Sequence, residues 1–323
     1  MGIRRYISGI FNQVFYYFKR YAAEGINPVQ WVVSVVLATT GIYLYYVDGW
    51  LRQVRTEVAW TGDVFAFFAI IYGIGLLMPY LAGGFYKRDW SYLKKPGFWI
   101  TALFGVALFT MRSSSHYVVE PLRESFQGLE LSNYWFRLVK SPGRGLLIIL
   151  PLLVFWFFKD RNNQRPYGFT LKNFDTRFYF GLLLLMVPLI AWASFQSDFL
   201  ESYPRAKNLP DLRMHDLQHA PYYLLYEVLY LLDFVSIEFF FRGFLILALM
   251  KYGGTNVLLP MATFYVFIHF GKPAAETISS FFGGMILGII TYYSRSIVGG
   301  IIVHMGIAAL MELGGWLGNL YWR

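Results

Sequence analysis

Apolar residues in this chain come in blocks of about 15 or more, the length at which a helix begins to cross a bilayer's hydrocarbon core. In hydrocarbon an α-helix satisfies its own backbone groups, so such blocks constrain the fold before any motif is considered. Only 15% of the 323 residues are charged, against the ~25% of a soluble domain, whereas 57% are hydrophobic. The expected fold class is therefore all-α: a polytopic transmembrane helical bundle. Nine spans are predicted, at 29–47, 64–84, 97–111, 145–158, 178–198, 222–250, 256–270, 277–294 and 296–313. Eight remain if the short third or fourth is only partly inserted. The sixth is long for one crossing and is expected to tilt, project or break near Asp233–Ser236.

Residues 1–25 read differently. Ile3, Ile7, Ile10, Phe11, Val14, Phe15 and Phe18 recur at helical spacing between basic edges, the pattern of an N-terminal amphipathic helix lying in the interface. Basic residues set the predicted orientation. Fifteen Lys and Arg fall on the side of the N-terminus, against seven on the other once the five in the long 112–144 connection are set aside. The N-terminus is thus expected to be cytoplasmic. The formal charge of +9 has the same origin, and no basic-aromatic motif points to nucleic acid. Cysteine is absent, which removes disulfide and thiolate-metal chemistry. Residues 26–175 are expected to hold the N-terminal transmembrane helices with a polar loop near 112–144, and 176–323 a second helical unit.

Charge inside a span is expensive and points to function. The sixth span contains Ile237-Glu238-Phe239-Phe240-Phe241-Arg242, which places Glu238 and Arg242 on one helix face as an i,i+4 pair. His269 closes the seventh span just before Pro273, and His304 sits midway along the ninth with no polar neighbour in sequence. The bland alternative is a structural ion pair and two hydrogen-bonded interface histidines. Taken together, a carboxylate and an imidazole can share a water, remove its proton as it attacks a carbonyl, and return that proton to the leaving amine. A second imidazole can donate to the oxyanion.

These segments resemble the glutamate-dependent intramembrane proteases related to CAAX prenyl endopeptidases, the CPBP or Abi family. Its motifs run E-E-x-x-x-R, F-x-x-x-H and H-x-x-x-N/D on successive helices. The matching stretches here are Ile237–Arg242, Tyr265–His269 and His304–Ala308, within roughly residues 180–313. The resemblance makes 176–323 a catalytic helical core. It implies an intramembrane endopeptidase in which Glu238 and His269 activate water, Arg242 organises Glu238, and His304 stands at the oxyanion. It further implies a membrane-associated protein or peptide as substrate partner within the lipid bilayer. No cofactor is expected, although a divalent metal stays open, and a bacterial-type member would lie in the inner (plasma) membrane. Ile237, Tyr265 and Ala308 replace the first glutamate, the phenylalanine and the Asn or Asp. Glu276, Glu312 and Glu227 are the carboxylates that could stand in. The alternative reading is a catalytically inactive scaffold of the same shape that binds a partner protein.

Other signals are less specific. His215 and His219 form H-x-x-x-H without the adjacent glutamate of a metalloprotease. Gly283, Gly284, Gly288, Gly299 and Gly300 read as close-approach positions between the last two helices. Tyr43, Tyr45 and Tyr46 read as interfacial anchors, and Phe239–Phe241 as lipid-facing and packing surface.

Overall fold

The computed structural model describes residues 3–162, 165–172, 175–209 and 217–321. Among these the regular structure is entirely helical. In chain order the helices are α1 (Ile3–Ala23), α2 (Pro28–Ile42), α3 (Trp50–Val58), α4 (Asp63–Lys87), α5 (Pro96–Ser113), α6 (Ser115–Val119) and α7 (Ser132–Phe155). They continue with α8 (Thr176–Ala193), α9 (Ser197–Ser202), α10 (Ala220–Glu238), α11 (Met250–Gly253), α12 (Leu258–Phe267), α13 (Ala274–Ser294) and α14 (Val298–Tyr321).

Among the described residues six helices are long and apolar enough to cross a membrane by themselves: Pro28–Val47, Asp63–Tyr86, Ser132–Asp160, Thr176–Ala193, Ala274–Ser294 and Val298–Tyr321. Of the other three predicted spans, 97–111 is α5, which exposes Ile100, Leu103 and Met111, and two are helices of a different kind. All ten residues of α12 are buried, and at 10 residues it rises only ~15 Å. The stretch Phe239–Ala248 that follows α10 is equally enclosed, with every residue buried. These segments are covered by the surrounding helices, which is how the chain accommodates the buried Glu238 and Arg242. Phe240 and Phe241 are fully buried, so the expected lipid-facing role of that run gives way to core packing against Phe109 and Phe264.

Two boundaries differ from expectation. The predicted break near Asp233–Ser236 is replaced by a change of winding after Glu238, where α10 widens into ten residues of π-helix, Phe239–Ala248. Such widened turns recur at functional sites. The polar 112–144 connection is largely helical: α5 runs to Ser113 and α7 already begins at Ser132, continuing through Pro142. One apolar core joins α2, α4, α5 and α7 to α10 and α12. The N-terminal helix α1 buries Ile10 and Tyr21 while Phe11, Phe15 and Tyr16 stay exposed.

A short clamp holds the widened segment. Tyr167, fully buried, donates its hydroxyl to Asp160, and Asp160 in turn pairs with Lys251 at 2.5 Å. The neighbouring Gly168 carbonyl accepts from the Ile297 amide at 3.0 Å, tying the clamp to the turn before α14. Gly243 lies directly beneath it: a Cβ there would stand 2.8 Å from the Tyr167 carbonyl oxygen. Backbone cannot yield as a flexible side chain would. Gly243→Val is therefore expected to lower stability by about 1–3 kcal/mol, read as an earlier thermal unfolding transition in detergent, with Gly243→Ala intermediate.

Candidate active site

Glu238 lies at the end of α10, where the winding changes, and is wholly inaccessible. Its Oε1 takes two partners, Arg242 at 2.9 Å and His304 Nδ1 at 2.8 Å. An ionised carboxylate only accepts, so His304 Nδ1 donates to it and Nε2 is left to face Tyr265, whose hydroxyl is 3.2 Å away. The Arg242 guanidinium lies 4.4 Å from the centre of the Tyr265 ring, a cation–π placement that closes the group. The other glutamate oxygen, Oε2, points at Gly300, where a Cβ would approach to 2.5 Å. Only glycine on α14 leaves room for this carboxylate.

His269 occupies the turn after α12. Its Nδ1 is 2.7 Å from the Tyr265 carbonyl oxygen, an obligate acceptor, so Nδ1 carries the proton and Nε2 keeps its lone pair. Among the described residues Nε2 has no hydrogen-bond partner, and the ring lines a cavity of about 620 Å³ together with His304 and Tyr265. The turn itself is pinned from two sides. Thr277 Oγ1 donates to the His269 carbonyl at 2.9 Å, and Tyr46 donates to the Lys272 carbonyl at 2.7 Å. Tyr45 stacks on Phe270 with ring centres 5.1 Å apart, and the Arg55 guanidinium holds the Phe270 carbonyl at 2.5 Å. Tyr45 and Tyr46 thus secure this turn and are not simple interfacial anchors.

The structure brings Glu238, Arg242 and His304 into direct contact and joins His269 to them through Tyr265. Among the described residues none of the three stand-in carboxylates is hydrogen-bonded to Glu238, His269 or His304, although Glu276 lies within electrostatic reach of His269. Glu276 pairs with Lys272 at 2.6 Å and accepts from Tyr203 at 2.8 Å. Burial and Glu276 together push the Tyr203 hydroxyl well above the usual tyrosine range, so it remains a donor. Glu312 accepts from the Arg205 amide at 2.7 Å, and its carboxyl lies beside that of Glu227. Ile237 lines the cavity, so the position of the missing motif glutamate faces the open space while Glu238 faces inward. Ala308 is buried. Glycines of α13 and α14 serve contacts with other helices: Gly284 meets Tyr265 and Ala262, Gly288 meets Met261, and Gly299 meets the Tyr179 ring. His215 lies outside the described residues. Among the described residues no three of His, Asp and Glu converge as metal ligands.

Two features went unread in the sequence. Tyr265 registers there only as a substituted ring, but its hydroxyl and carbonyl link both histidines. The cavity walls also draw on Arg112 and Arg144, from helices far earlier in the chain. Asp233, five residues before Glu238, was the available signal for the first of these.

Residues 219–310 match the model of the Rce1-like family, described as type II CAAX prenyl endopeptidase Rce1-like. The matched segment contains Glu238, Arg242, Tyr265, His269 and His304, and it agrees with the resemblance drawn from the motifs. No curated protein and no solved structure matches the chain. The six apolar helices and this match together describe an integral, multi-pass membrane protein.

Removing one partner of a buried ion pair leaves an uncompensated charge, typically at a cost of about 3–5 kcal/mol. Arg242→Met is expected to destabilise the protein by that amount. The double variant Glu238→Gln/Arg242→Met should recover part of the loss, measured as unfolding transitions of all three variants in one detergent.

Proposed function

We propose that the chain is an intramembrane endopeptidase of the CAAX protease type, hydrolysing a peptide bond of a membrane-associated protein or peptide. The match of residues 219–310 to that family supports the reaction class. The observation that carries the residue assignment is the open Nε2 of His269 on the cavity, opposite a His304 whose other nitrogen is fixed by Glu238.

In this reading His269 Nε2 accepts a proton from water as the water oxygen attacks the substrate carbonyl carbon. The carbonyl oxygen becomes an oxyanion beside His304, and the Tyr265 hydroxyl, released from His304 Nε2, donates a hydrogen bond to it. The tetrahedral centre then collapses, the C–N bond breaks, and the leaving nitrogen takes the proton from His269. Glu238 does its work one step back. Enclosed and paired with Arg242, it holds the His304 ring in one orientation through Nδ1. This shifts water activation towards His269 alone, because the cavity-facing position before Glu238 is Ile237.

The test compares protein termini in cells carrying wild type, His269→Ala or Glu238→Gln at equal abundance. Termini that depend on wild type, and fall by about 100-fold or more with His269→Ala, are expected. Glu238→Gln should give a smaller loss. Identical termini in all three strains, with any phenotype rescued by all, would remove the protease reading and leave a partner-binding protein.

A further inference from the structure

The wall of the cavity away from the histidines has an unusual charge balance. Eight Lys and Arg side chains line the cavity, and Asp233 is its one acid among the described residues. Asp233 is already engaged: its Oδ2 pairs with Arg112 at 2.6 Å and its Oδ1 accepts from Ser236 at 3.1 Å. Lys140 and Lys272 have their own glutamates, Glu120 and Glu276. Arg144 has none. No carboxylate among the described residues lies within ion-pair distance of it, and its Nε is buried without a hydrogen-bond partner.

The fold holds this arginine where it is. Arg112 donates to the Arg144 carbonyl at 2.7 Å, and the next residue, Gly145, lets α7 come against Asp233 on α10. Arg144 and Arg55 also line a smaller adjoining cavity of about 110 Å³, shared with Tyr72 and Ser113. Arg144 thus lies within electrostatic reach of Arg112 and Asp233 on the wall of a polar chamber, where Arg55, Arg137 and Arg205 likewise have no ion-paired carboxylate among the described residues. An uncompensated charge there is costly, and a planar guanidinium fork suits an incoming carboxylate in two-point contact.

We propose that Arg144, supported by Arg112, binds a carboxylate of the substrate and so sets which peptides reach His269. The inference deepens the peptidase reading by naming a substrate feature, and rests on it only for the identity of the ligand as a peptide. Two sources present this chemistry: the free C-terminus of the substrate and an acidic side chain near the scissile bond.

Binding separates the proposal from cleavage. Full-length protein in nanodiscs of neutral lipid is titrated into three apolar hexapeptides bearing an uncharged fluorophore at the N-terminus. One ends in a free carboxylate, one in a carboxamide, and one in a carboxamide with a glutamate two residues from its end. The free acid or the glutamate peptide should bind about tenfold or more tightly than the plain amide, and whichever does so names the source. Arg144→Met should abolish the preference and Arg144→Lys should keep part of it, which separates charge recognition from misfolding. Equal binding of acid, amide and glutamate peptides, including no binding of any, overturns the proposal, as does a preference that survives Arg144→Met. A preference that persists in wild type without any cleavage would instead count against the peptidase reading alone.

Discussion

The shared oxygen of Glu238, held by Arg242 on one side and His304 on the other, is the interaction on which the rest of the structure depends. A carboxylate that is wholly removed from water survives only with charge and hydrogen bonds at close range. Much of the architecture follows from supplying them. The helix widens immediately after Glu238, Gly300 gives up its side chain to make room for the carboxylate, and α12 and the Phe239–Ala248 segment are enclosed on all sides. The six long apolar helices have the length and composition to cross a membrane, while these inner segments are covered by protein.

The site is assembled from more of the chain than its motifs cover. Glu238, His269 and His304 belong to the last helices, but the His269 turn is fastened by Tyr45, Tyr46 and Arg55 from the first third of the protein. Arg112 and Arg144 build the opposite wall of the cavity. This division has a physical sense. The reacting groups need a few fixed geometries, which short motifs on packed helices provide. The walls that meet a substrate need only the right shape and charge, and the N-terminal helices supply both. One departure from the motif pattern falls on that boundary, since Ile237 looks into the cavity while Glu238 is enclosed beside it.

Hydropathy and helical spacing were enough to read an all-helical membrane protein, the i,i+4 relation of Glu238 and Arg242, and the placement of His269 at a helix end. They misjudged the segments that carry the charges. Phe239–Phe241 looks lipid-facing because apolar sequence is the same whether its neighbours are lipid or protein, and only the surrounding helices decide between them. The stand-in carboxylates show a related limit of sequence. Glu276, Glu312 and Glu227 sit at plausible sequence distances, but packing decides what each meets: Lys272 for Glu276, the Arg205 amide for Glu312, and Glu312 beside Glu227.

What the sequence determined by itself was therefore the solvent of this protein and the positions of its costly charges, because both follow from local composition and from the regular rise of a helix. The tertiary structure alone decided which atom each charge would meet. Tyr265 became the link between two histidines, and Arg144 met no carboxylate among the described residues, because hydrogen bonds and ion pairs depend on ångström-scale distances between helices whose separation along the chain carries no such information.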